Sequence, residues 1–412
     1  MSTYEATLAW LYQQLPMFQR QGATAFKKDL SRTWQLMELL EEPQKRFPSI
    51  HIAGTNGKGS VAHSLAAVLQ EAGYQTGLYT SPHLQDFRER IRINGQMISR
   101  EAVIQFVEKH QKALQNIGCS FFEMTVALAF QHFARQAVDI AVIETGMGGR
   151  LDSTNVLRPE LSIITNIGLD HTQFLGDTLP AIAGEKAGII KAGTPVLIGR
   201  RQAETSPVFE AKAREEAAPL SYAEALISAE KARSVWPHGT AYQLENTRTT
   251  LAALQLLQPH YPTTGVPLAA TLARLRELTG LRGRWEILAQ QPLTIADTGH
   301  NEAGLRLSME QLQRQSYRQL HIIWGMVSDK DHQPLLALLP TQAHFYWCCP
   351  DVPRGLPAPA LAQLANLLER PGSPQASVSE AVRQAQQAAH PDDLIFIGGS
   401  TFVVAEALSA FE

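Results

Sequence analysis

A glycine-rich segment early in the chain has the residue types that bind phosphate groups; it consists of Gly54, Thr55, Asn56, Gly57, Lys58, Gly59 and Ser60. The segment follows a short apolar run, Ser49–Ala53, and opens a helical pattern. Free backbone N–H groups and the helix dipole favour an anion at such a position, and Lys58 can contact the terminal phosphates of ATP. A tight turn that needs glycine only for its backbone angles would leave Lys58 without a role. The segment therefore predicts a site for a nucleotide triphosphate.

This phosphate loop departs from the usual Gly-x-x-x-x-Gly-Lys-[Ser/Thr] pattern in two places. Ile52 occupies the position of the first glycine, and Gly59 stands where a serine or threonine normally follows the lysine. Because Gly59 has no hydroxyl group to offer Mg²⁺, another oxygen ligand is needed, and Ser81 after the next strand-like run is a candidate. A serine before proline is also an ordinary turn residue, so both interpretations of Ser81 stay open on the residues alone.

Further polar residues follow strand-like runs, at the positions where α/β sheets place their ligands. Glu144 ends one such run and precedes a glycine-rich loop, and its carboxylate suits a hard cation. His171 follows the next run, and Lys186 lies on the helical pattern after it. Each residue alone is also compatible with a surface charge or a capped helix start. Their shared position at strand ends is what indicates a common site.

Short β-rich apolar runs alternate with helical patterns, which is typical of parallel strands covered by helices on both faces. The first series predicts an α/β fold, with a mostly parallel sheet around the phosphate loop in residues 1–284. A second series starts near residue 286 and predicts a smaller, Rossmann-like α/β domain in residues 285–412. We place the joint at residues 280–284, where two glycines interrupt the periodicity.

Composition argues against several classes of function. The 412 residues carry 36 basic and 39 acidic side chains, a formal net charge of -3, which provides no positive field for nucleic acid. Cys119, Cys348 and Cys349 fit neither a disulfide framework nor a Cys-x-x-Cys zinc site and indicate reduced thiols. Neither a targeting segment nor a run of about 18 apolar residues is evident. We therefore expect a soluble, cytoplasmic protein with no nucleic-acid or membrane partner.

Five ordered segments resemble the bacterial folylpolyglutamate synthase and dihydrofolate synthase family, a branch of the Mur ligase superfamily of ATP-dependent amide ligases. The segments are residues 54–60, Thr80-Ser81-Pro82-His83, Ser120-Phe121-Phe122-Glu123, residues 144–152, and Leu169-Asp170-His171 followed by Glu185-Lys186-Ala187-Gly188-Ile189.

The resemblance implies a role for each polar residue at the strand ends. Ser81 and Glu144 would hold the Mg²⁺ that bridges the ATP phosphates. His171 would hold a second Mg²⁺ together with a carbamylated Lys186, whose CO₂ adduct offers the anionic oxygen that Mg²⁺ prefers. Lys58, His171 and Lys186 would be the catalytic residues. The alternative for Lys186 is an amine on a helix surface.

Three residues further along the chain match family positions that contact ATP: Asn246, Arg284 and Asp297. From the residues alone, Asn246 could instead cap a helix, and Arg284 could pair with Glu286. Asp297 belongs to Asp297-Thr298-Gly299-His300-Asn301, in which family members more often have alanine and proline at two positions. His300 and Asn301 belong to this altered segment.

A flat pterin ring is the second ligand that the resemblance implies. The residues that match its binding segments are Ser120, Phe121, Phe122, Glu123, Leu151, Asp152 and Ser153. Phenylalanine suits an aromatic ring, but Phe121 and Phe122 also head a strongly apolar helical stretch, so we expect at least one of them in the core. The segment Phe26-Lys27-Lys28-Asp29-Leu30 replaces a leucine-glycine-leucine element of the family, a departure in the N-terminal part of this pocket.

The function implied by the resemblance is ATP-dependent ligation of L-glutamate to dihydropteroate, to a (poly)glutamylated reduced folate, or to both, through an acyl phosphate. It involves ATP and two Mg²⁺ ions, and we expect a monomer. The nearest alternative is a ligase of UDP-muramyl cell-wall precursors, but those enzymes typically have threonine where Gly59 follows Lys58. A P-loop nucleotide switch is the alternative from another class. The missing serine after Lys58 and the second α/β domain argue against it.

Overall fold

The computed structural model describes residues 3–14, 29–237, 239–328 and 331–411. The chain forms two compact units, Met1–Leu281 and Arg282–Glu412. The division thus lies between Leu281 and Arg282, whereas the predicted boundary follows Arg284. None of the helices within the described ranges combines the length and the apolarity that crossing a membrane requires.

An eight-stranded sheet forms the centre of the first unit. Its strands are β1 (Ser49–Ala53), β2 (Thr76–Tyr79), β3 (Ile91–Ile93), β4 (Gln96–Met97), β5 (Ile140–Glu144), β6 (Leu161–Ile164), β7 (Val196–Ile198) and β8 (Leu220–Tyr222). In space they follow the order β4-β3-β2-β5-β1-β6-β7-β8. Neighbouring strands from β2 to β8 in this order pair in parallel. At one edge, β3 pairs antiparallel with both β2 and β4. The predicted mostly parallel sheet is confirmed.

Helices cover both faces of this sheet. They are α1 (Tyr4–Gln14), α2 (Ser31–Leu39), α3 (Lys58–Glu71), α4 (Arg100–Ile117), α5 (Phe121–Arg135), α6 (Thr172–Leu175), α7 (Leu179–Ala187), α8 (Ser206–Glu215), α9 (Ala223–Leu226), α10 (Ala229–Val235), α11 (Ala241–Leu257), α12 (Leu268–Ala273) and α13 (Leu275–Thr279), with 3₁₀ turns at Pro43–Lys45, Phe87–Arg90 and Ser153–Val156. Strand β5 illustrates that both faces of the sheet are covered by apolar side chains. Ala141 belongs to the same core as Phe130, whereas its neighbour Val142 belongs to the core on the other face with Val61, since successive strand residues point to opposite faces.

Glycines set both ends of α3, the helix after the phosphate loop. Gly57 precedes it with a φ of 84°, and Gly73 follows it with a φ of 95°. At the C-terminal end, the Gly73 N–H donates to the Gln70 carbonyl at 3.0 Å, and the Tyr74 N–H donates to the Leu69 carbonyl at 3.1 Å. This pair of hydrogen bonds is a Schellman motif. Left-handed backbone favours a residue without a Cβ atom, so the two glycines confine the helix to its range.

The second unit contains a six-stranded sheet. Its strands are β9 (Glu286–Gln290), β10 (Leu293–Ala296), β11 (Leu320–Trp324), β12 (His344–Trp347), β13 (Gly372–Pro374) and β14 (Leu394–Gly398), and its helices are α14 (Glu302–Leu312), α15 (His332–Ala337), α16 (Ala358–Asn366), α17 (Val378–Ala388) and α18 (Thr401–Leu408), with a 3₁₀ turn at Ser409–Phe411. The order is β13-β12-β11-β14-β10-β9, and the edge strand β9 pairs antiparallel with β10. The predicted smaller α/β domain is confirmed. The apolar pattern predicts the four inner strands of this sheet but not its two edge strands, β9 and β13.

Candidate active site

Four neighbouring strands of the first unit bring predicted site residues to one edge of the sheet. Strands β2, β5, β1 and β6 lie side by side in parallel, so their carboxyl ends meet. These ends carry Ser81, Glu144, the phosphate loop and Thr165, respectively. Open α/β sheets bind ligands at this edge.

The phosphate loop is bound to the segment that follows β6. The Thr55 N–H donates to the Asn166 carbonyl at 2.9 Å, and the Asn56 N–H donates to Asn166 Oδ1 at 3.0 Å. Thr165 Oγ1 donates to the Asn56 carbonyl at 2.6 Å. Thr165 and Asn166 therefore fix the loop conformation from the neighbouring strand. The sequence pattern assigns neither residue this task, although two polar residues directly after a buried strand are the signal for it.

Two glycines allow the loop to pack this closely. Gly54 has a φ of 149°, and a Cβ atom there would lie 1.9 Å from Thr165 Oγ1. Gly57 has a φ of 84°, and a Cβ atom there would lie 2.2 Å from Asn246 Oδ1. Asn246 is buried within α11, so it does not cap a helix, and its amide oxygen lies against the phosphate loop. The loop needs glycine at these positions both for space and for its backbone angles.

Two lysine side chains converge on the carbonyl oxygen of Gly54. Lys58 Nζ donates to this oxygen at 3.1 Å and to the Thr55 carbonyl at 3.3 Å, and Lys186 Nζ donates to the Gly54 oxygen at 2.9 Å. Lys186 is only 4% exposed, which excludes the alternative of an amine on a helix surface. Burial, and next the positive charge of Lys58, lower the pKa of Lys186 from 10.5 to about 7. A large fraction of its amine is therefore neutral near pH 7.

Ser81 and Glu144 lie together beside the start of α3. The Ser81 N–H donates to Glu144 Oε2 at 3.2 Å, and a Cβ atom on Gly59 would lie 3.6 Å from the same oxygen. The carboxylate thus lies next to the position where other phosphate loops present a hydroxyl group. Within residues 3–14, 29–237, 239–328 and 331–411, no three His, Cys, Asp or Glu side chains converge as a metal cage. One carboxylate with a neighbouring serine fits Mg²⁺, which takes its other ligands from water and substrate phosphates.

His171 precedes the short helix α6 with a left-handed backbone, at a φ of 51°. The backbone N–H of His171 donates to Asp170 Oδ1 at 3.0 Å, and the ring atom Nε2 lies 3.9 Å from the same oxygen. The negative charge of Asp170 opposes the lowering of the Lys186 pKa, so this carboxylate lies within electrostatic reach of Lys186. His171 therefore belongs to the same region as the buried lysine. An ion shared by His171 and Lys186 stays a prediction.

The structure brings the two predicted pterin-binding segments together. The Phe122 ring lies on the loop after β5, where a Cβ atom on Gly146 would lie 2.5 Å from Phe122 Cζ. Asp152 closes that loop by accepting hydrogen bonds from the Gly146 and Met147 N–H groups at 2.8 and 2.9 Å. Burial raises the pKa of the Asp152 carboxyl group. The Phe122 ring thus packs against the loop that Asp152 closes.

Burial separates the residues of these segments into two groups. Phe122 and Leu151 are partly exposed, whereas the other members are buried: Ser120, Phe121, Glu123, Asp152 and Ser153. Ser120 and Glu123 form a capping box at the start of α5, and the Phe121 ring packs against the Phe87 ring at 5.7 Å between centroids. The expectation that one phenylalanine lies in the core is met by Phe121. Phe26, Lys27 and Lys28 of the altered N-terminal segment lie outside the described residues.

In the second unit, Asp297 organises the turn after β10. Its Oδ2 accepts a hydrogen bond from the Trp285 N–H at 2.8 Å, and its Oδ1 accepts one from the Gly299 N–H at 2.8 Å. Asn301 caps α14 by accepting from the Gly304 N–H at 2.9 Å. Asp297 is buried, and its carboxylate fixes the backbone at Trp285 and Gly299.

Arg284 is an exposed residue of the second unit. The alternative partner considered for it, Glu286, pairs with Arg282 at 2.7 Å. His300 Nδ1 lies 3.0 Å from the Thr298 carbonyl oxygen. A nucleotide contact by Arg284, Asp297 or Asn246 stays a prediction.

Comparison with known proteins places the chain in a family. Residues 52–224 match the Mur ligase middle domain, and residues 283–401 match the Mur ligase glutamate ligase domain. The chain is 32% identical over 435 residues to the dihydrofolate synthase/folylpolyglutamate synthase of Bacillus subtilis, an alignment that covers 98% of each chain. The chain belongs to the dihydrofolate synthase/folylpolyglutamate synthase family.

Solved structures of this family resemble the chain over nearly its whole length. Escherichia coli FolC in complex with DHPP and ADP matches with a TM-score of 0.85 at 27% identity, covering 99% of this chain and 97% of that one. A bifunctional folylpolyglutamate synthase/dihydrofolate synthase with Mn, AMPPNP and L-glutamate bound matches with a TM-score of 0.80 at 30% identity, covering 100% and 98%. Two longer relatives are probable bifunctional folylpolyglutamate synthase/dihydropteroate synthases. The chain is 33% identical to the one from Haloferax volcanii, over 90% of this chain and 47% of that one. It is 34% identical to the one from Halobacterium salinarum, over 92% of this chain and 49% of that one, so it spans about half the length of these two relatives.

Proposed function

We propose that this family member is an ATP- and Mg²⁺-dependent ligase that joins L-glutamate to the carboxylate of dihydropteroate, of a reduced folate, or of both. The observation that supports it most is the convergence of Lys58 and Lys186 on the Gly54 carbonyl, with the Glu144 carboxylate beside Gly59. A phosphate loop flanked by a buried amine and a carboxylate suits phosphoryl transfer between anions. The names of the relatives and the ligands in the solved family structures support the same substrates.

The reaction has to bring two anions together. The substrate carboxylate would attack the γ-phosphorus of ATP, which forms an acyl phosphate and releases ADP. The glutamate amine would then attack the acyl carbon, lose a proton and displace inorganic phosphate. Lys58 and the N–H groups at the start of α3 would offset the negative charge on the transferred phosphoryl group. No covalent bond to the protein is required.

Ser81 and Glu144 would hold one Mg²⁺ ion, and His171 with a carbamylated Lys186 would hold a second. Bound Mg²⁺ neutralises charge on the phosphate oxygens. The Ser81 N–H keeps the Glu144 carboxylate in place, and Gly59 leaves the space beside it free of a side chain.

Lys186 is suited to carbamylation because its amine is not fixed in the charged form. A pKa of about 7 leaves a large neutral fraction near pH 7. The neutral nitrogen would form a bond to the carbon of CO₂ and release one proton, which gives an anionic carbamate. The repulsion between Lys186 and Lys58 would then become an attraction.

Phe122 and Leu151 are the residues that we propose to contact the pterin ring, because they are the partly exposed members of their segments. Phe121 would support Phe122 from the core. Asn246 would act on ATP binding through its contact with Gly57. Arg284 and Asp297 would contact ATP, as the resemblance implies.

We propose that the protein works in the cytoplasm as a monomer. Cys119, Cys348 and Cys349 are free thiols, as expected in a reducing compartment. Light scattering from the purified protein measures its mass in solution and tests whether it is a monomer.

Separate assays with dihydropteroate and with a reduced folate test the proposed reaction. We expect ADP release that requires both glutamate and an acceptor, together with incorporation of labelled glutamate into the acceptor. ATP hydrolysis that is indifferent to glutamate and acceptor would favour a nucleotide switch. Thermal stabilisation by a UDP-muramyl acceptor, and not by dihydropteroate, would favour a cell-wall ligase.

A further inference from the structure

The segment that carries Ser81 is attached along its length to the 3₁₀ turn that follows it. We call residues 80–86, between β2 and β3, the Ser81 loop. The Thr80 N–H donates to the Arg90 carbonyl at 3.1 Å. The Glu89 carboxylate accepts hydrogen bonds at 2.7, 3.0 and 2.8 Å from the N–H groups of Leu84, Gln85 and Asp86. The turn therefore holds both ends of the Ser81 loop.

His83 provides a side-chain link at the middle of the loop. Arg90 Nε donates to His83 Nδ1 at 2.7 Å. Because a guanidinium group only donates, Nδ1 is the acceptor, and the ring proton lies on Nε2. Arg90 is 3% exposed, and its guanidinium carbon lies 5.3 Å from the Phe121 ring centroid. A close-packed core leaves Arg90 little room to follow a displaced histidine.

The link bears on the candidate metal site because His83 is two residues from Ser81. Between the two attached ends, Ser81 contacts Glu144 Oε2 through its N–H group at 3.2 Å. We propose that His83, held by Arg90, is a positioning residue that keeps Ser81 beside the Glu144 carboxylate. His83 acts on Mg²⁺ through Ser81 and not by direct contact. The inference rests on the proposed function, since it concerns the Mg²⁺ that accompanies the nucleotide.

Thermal stabilisation of the full chain by AMPPNP, followed as Mg²⁺ is titrated, measures this positioning without turnover. His83→Leu removes the acceptor, and we expect its half-saturating Mg²⁺ concentration to rise about tenfold, on the order of 1.4 kcal/mol. His83→Asn is the matched control because its Oδ1 can replace Nδ1 as the acceptor. We expect His83→Asn to restore the response of the wild-type protein.

A Ser81→Ala background separates positioning from a general loss of structure. If His83 acts through Ser81, His83→Leu adds nothing to the effect of Ser81→Ala. An unchanged Mg²⁺ response in His83→Leu, or an equal further weakening in the Ser81→Ala background, would overturn the positioning role. Absence of any Mg²⁺-dependent stabilisation in the wild-type protein would instead overturn the proposed function. If His83→Leu does not fold, Arg90→Met replaces it, because methionine keeps much of the apolar stem but has no N–H donor for His83 Nδ1.

Discussion

Lys58 and Lys186 donate to one acceptor, the carbonyl oxygen of Gly54, at 3.1 and 2.9 Å. Two ammonium groups this close repel each other, and the charge of Lys58 contributes to the lowered pKa of Lys186. Lys58 comes from the phosphate loop and Lys186 from helix α7, so this oxygen joins two separate motifs. A nucleotide phosphate bound between the amines, or a carbamate formed on Lys186 itself, would relieve the repulsion.

Replacing Lys58 by alanine is expected to abolish glutamate-dependent ADP release. The loss in kcat should be at least about 100-fold, because the amine would offset charge on the transferred phosphoryl group. A coupled assay for ADP measures it. Lys212→Ala is the control, since Lys212 forms a surface ion pair with Glu216 at 2.6 Å, and such pairs contribute little. Undiminished turnover in Lys58→Ala would contradict the assignment of the phosphate loop.

The lowered pKa of Lys186 should make the stability of the CO₂-free protein depend on pH. With a pKa of about 7 when folded and 10.5 as the ordinary value, the buried amine destabilises the fold fully below pH 7, and this effect disappears as the pH rises toward 10.5. Lys186→Met should therefore be more stable than the wild type near pH 6. Its advantage should shrink by about 1.4 kcal/mol per pH unit above pH 7. Denaturant unfolding in bicarbonate-free buffer at several pH values measures this, and a pH-independent advantage would contradict the lowered pKa.

Carbamylation of Lys186 should be visible directly. Protein equilibrated with ¹³C-bicarbonate is expected to show a protein-bound carbamate signal by NMR, because the neutral amine can add CO₂. Lys186→Arg should lose the signal. Lys191→Arg is the matched control, because burial lowers the pKa of Lys191 too, although Lys191 is only partly buried and donates to the Asn155 carbonyl at 3.2 Å. A signal that persists in Lys186→Arg and disappears in Lys191→Arg would place the carbamate on Lys191 and contradict the prediction.

Gly57→Ala is expected to remove nucleotide binding. Its φ of 84° disfavours alanine, and the new Cβ atom would lie 2.2 Å from Asn246 Oδ1, so the loop or α11 has to shift. Gly73→Ala is the control for backbone strain alone, because Gly73 has a φ of 95° but no atom within 4 Å of its Cβ position. The control should cost about 1–2 kcal/mol of stability and leave binding intact. Calorimetry with ADP measures both variants, and wild-type affinity in Gly57→Ala would show that the Asn246 contact is dispensable.

Phe121 and Phe122 should respond differently to truncation. Phe122→Ala is expected to raise the KM for the folate acceptor roughly 3- to 10-fold, from the ~0.5–1.5 kcal/mol of a stacked aromatic pair, with the KM for ATP unchanged. Phe121→Ala should instead lower stability by about 3–5 kcal/mol, because the ring is buried in the core. Steady-state kinetics and thermal melting distinguish the two. Equal destabilisation by both variants, without a change in KM, would remove Phe122 from the pterin site.

The local elements around the site follow from patterns in neighbouring residues. An apolar run followed by glycines predicts a strand, a turn and a helix, and the chain forms β1, a left-handed residue at Gly57 and α3 in that order. Alternating apolar runs likewise predict the parallel strands whose ends carry Ser81 and Glu144. These features depend on neighbours in the chain, on side-chain periodicity and on the lack of a Cβ atom, so one sequence is enough to predict them.

Which side chains are buried, and which groups they contact, depends on how distant segments pack together. Phe121 and Phe122 are adjacent and identical in type, yet only contacts with distant segments make one a core residue and leave the other partly exposed. Lys186 has a lowered pKa because its helix packs over the phosphate loop, and Arg90 binds His83 because a turn folds back on the Ser81 loop. Desolvation and charge interactions depend on the atoms that surround a group in space. Those atoms come from elsewhere in the chain, and no local pattern specifies them.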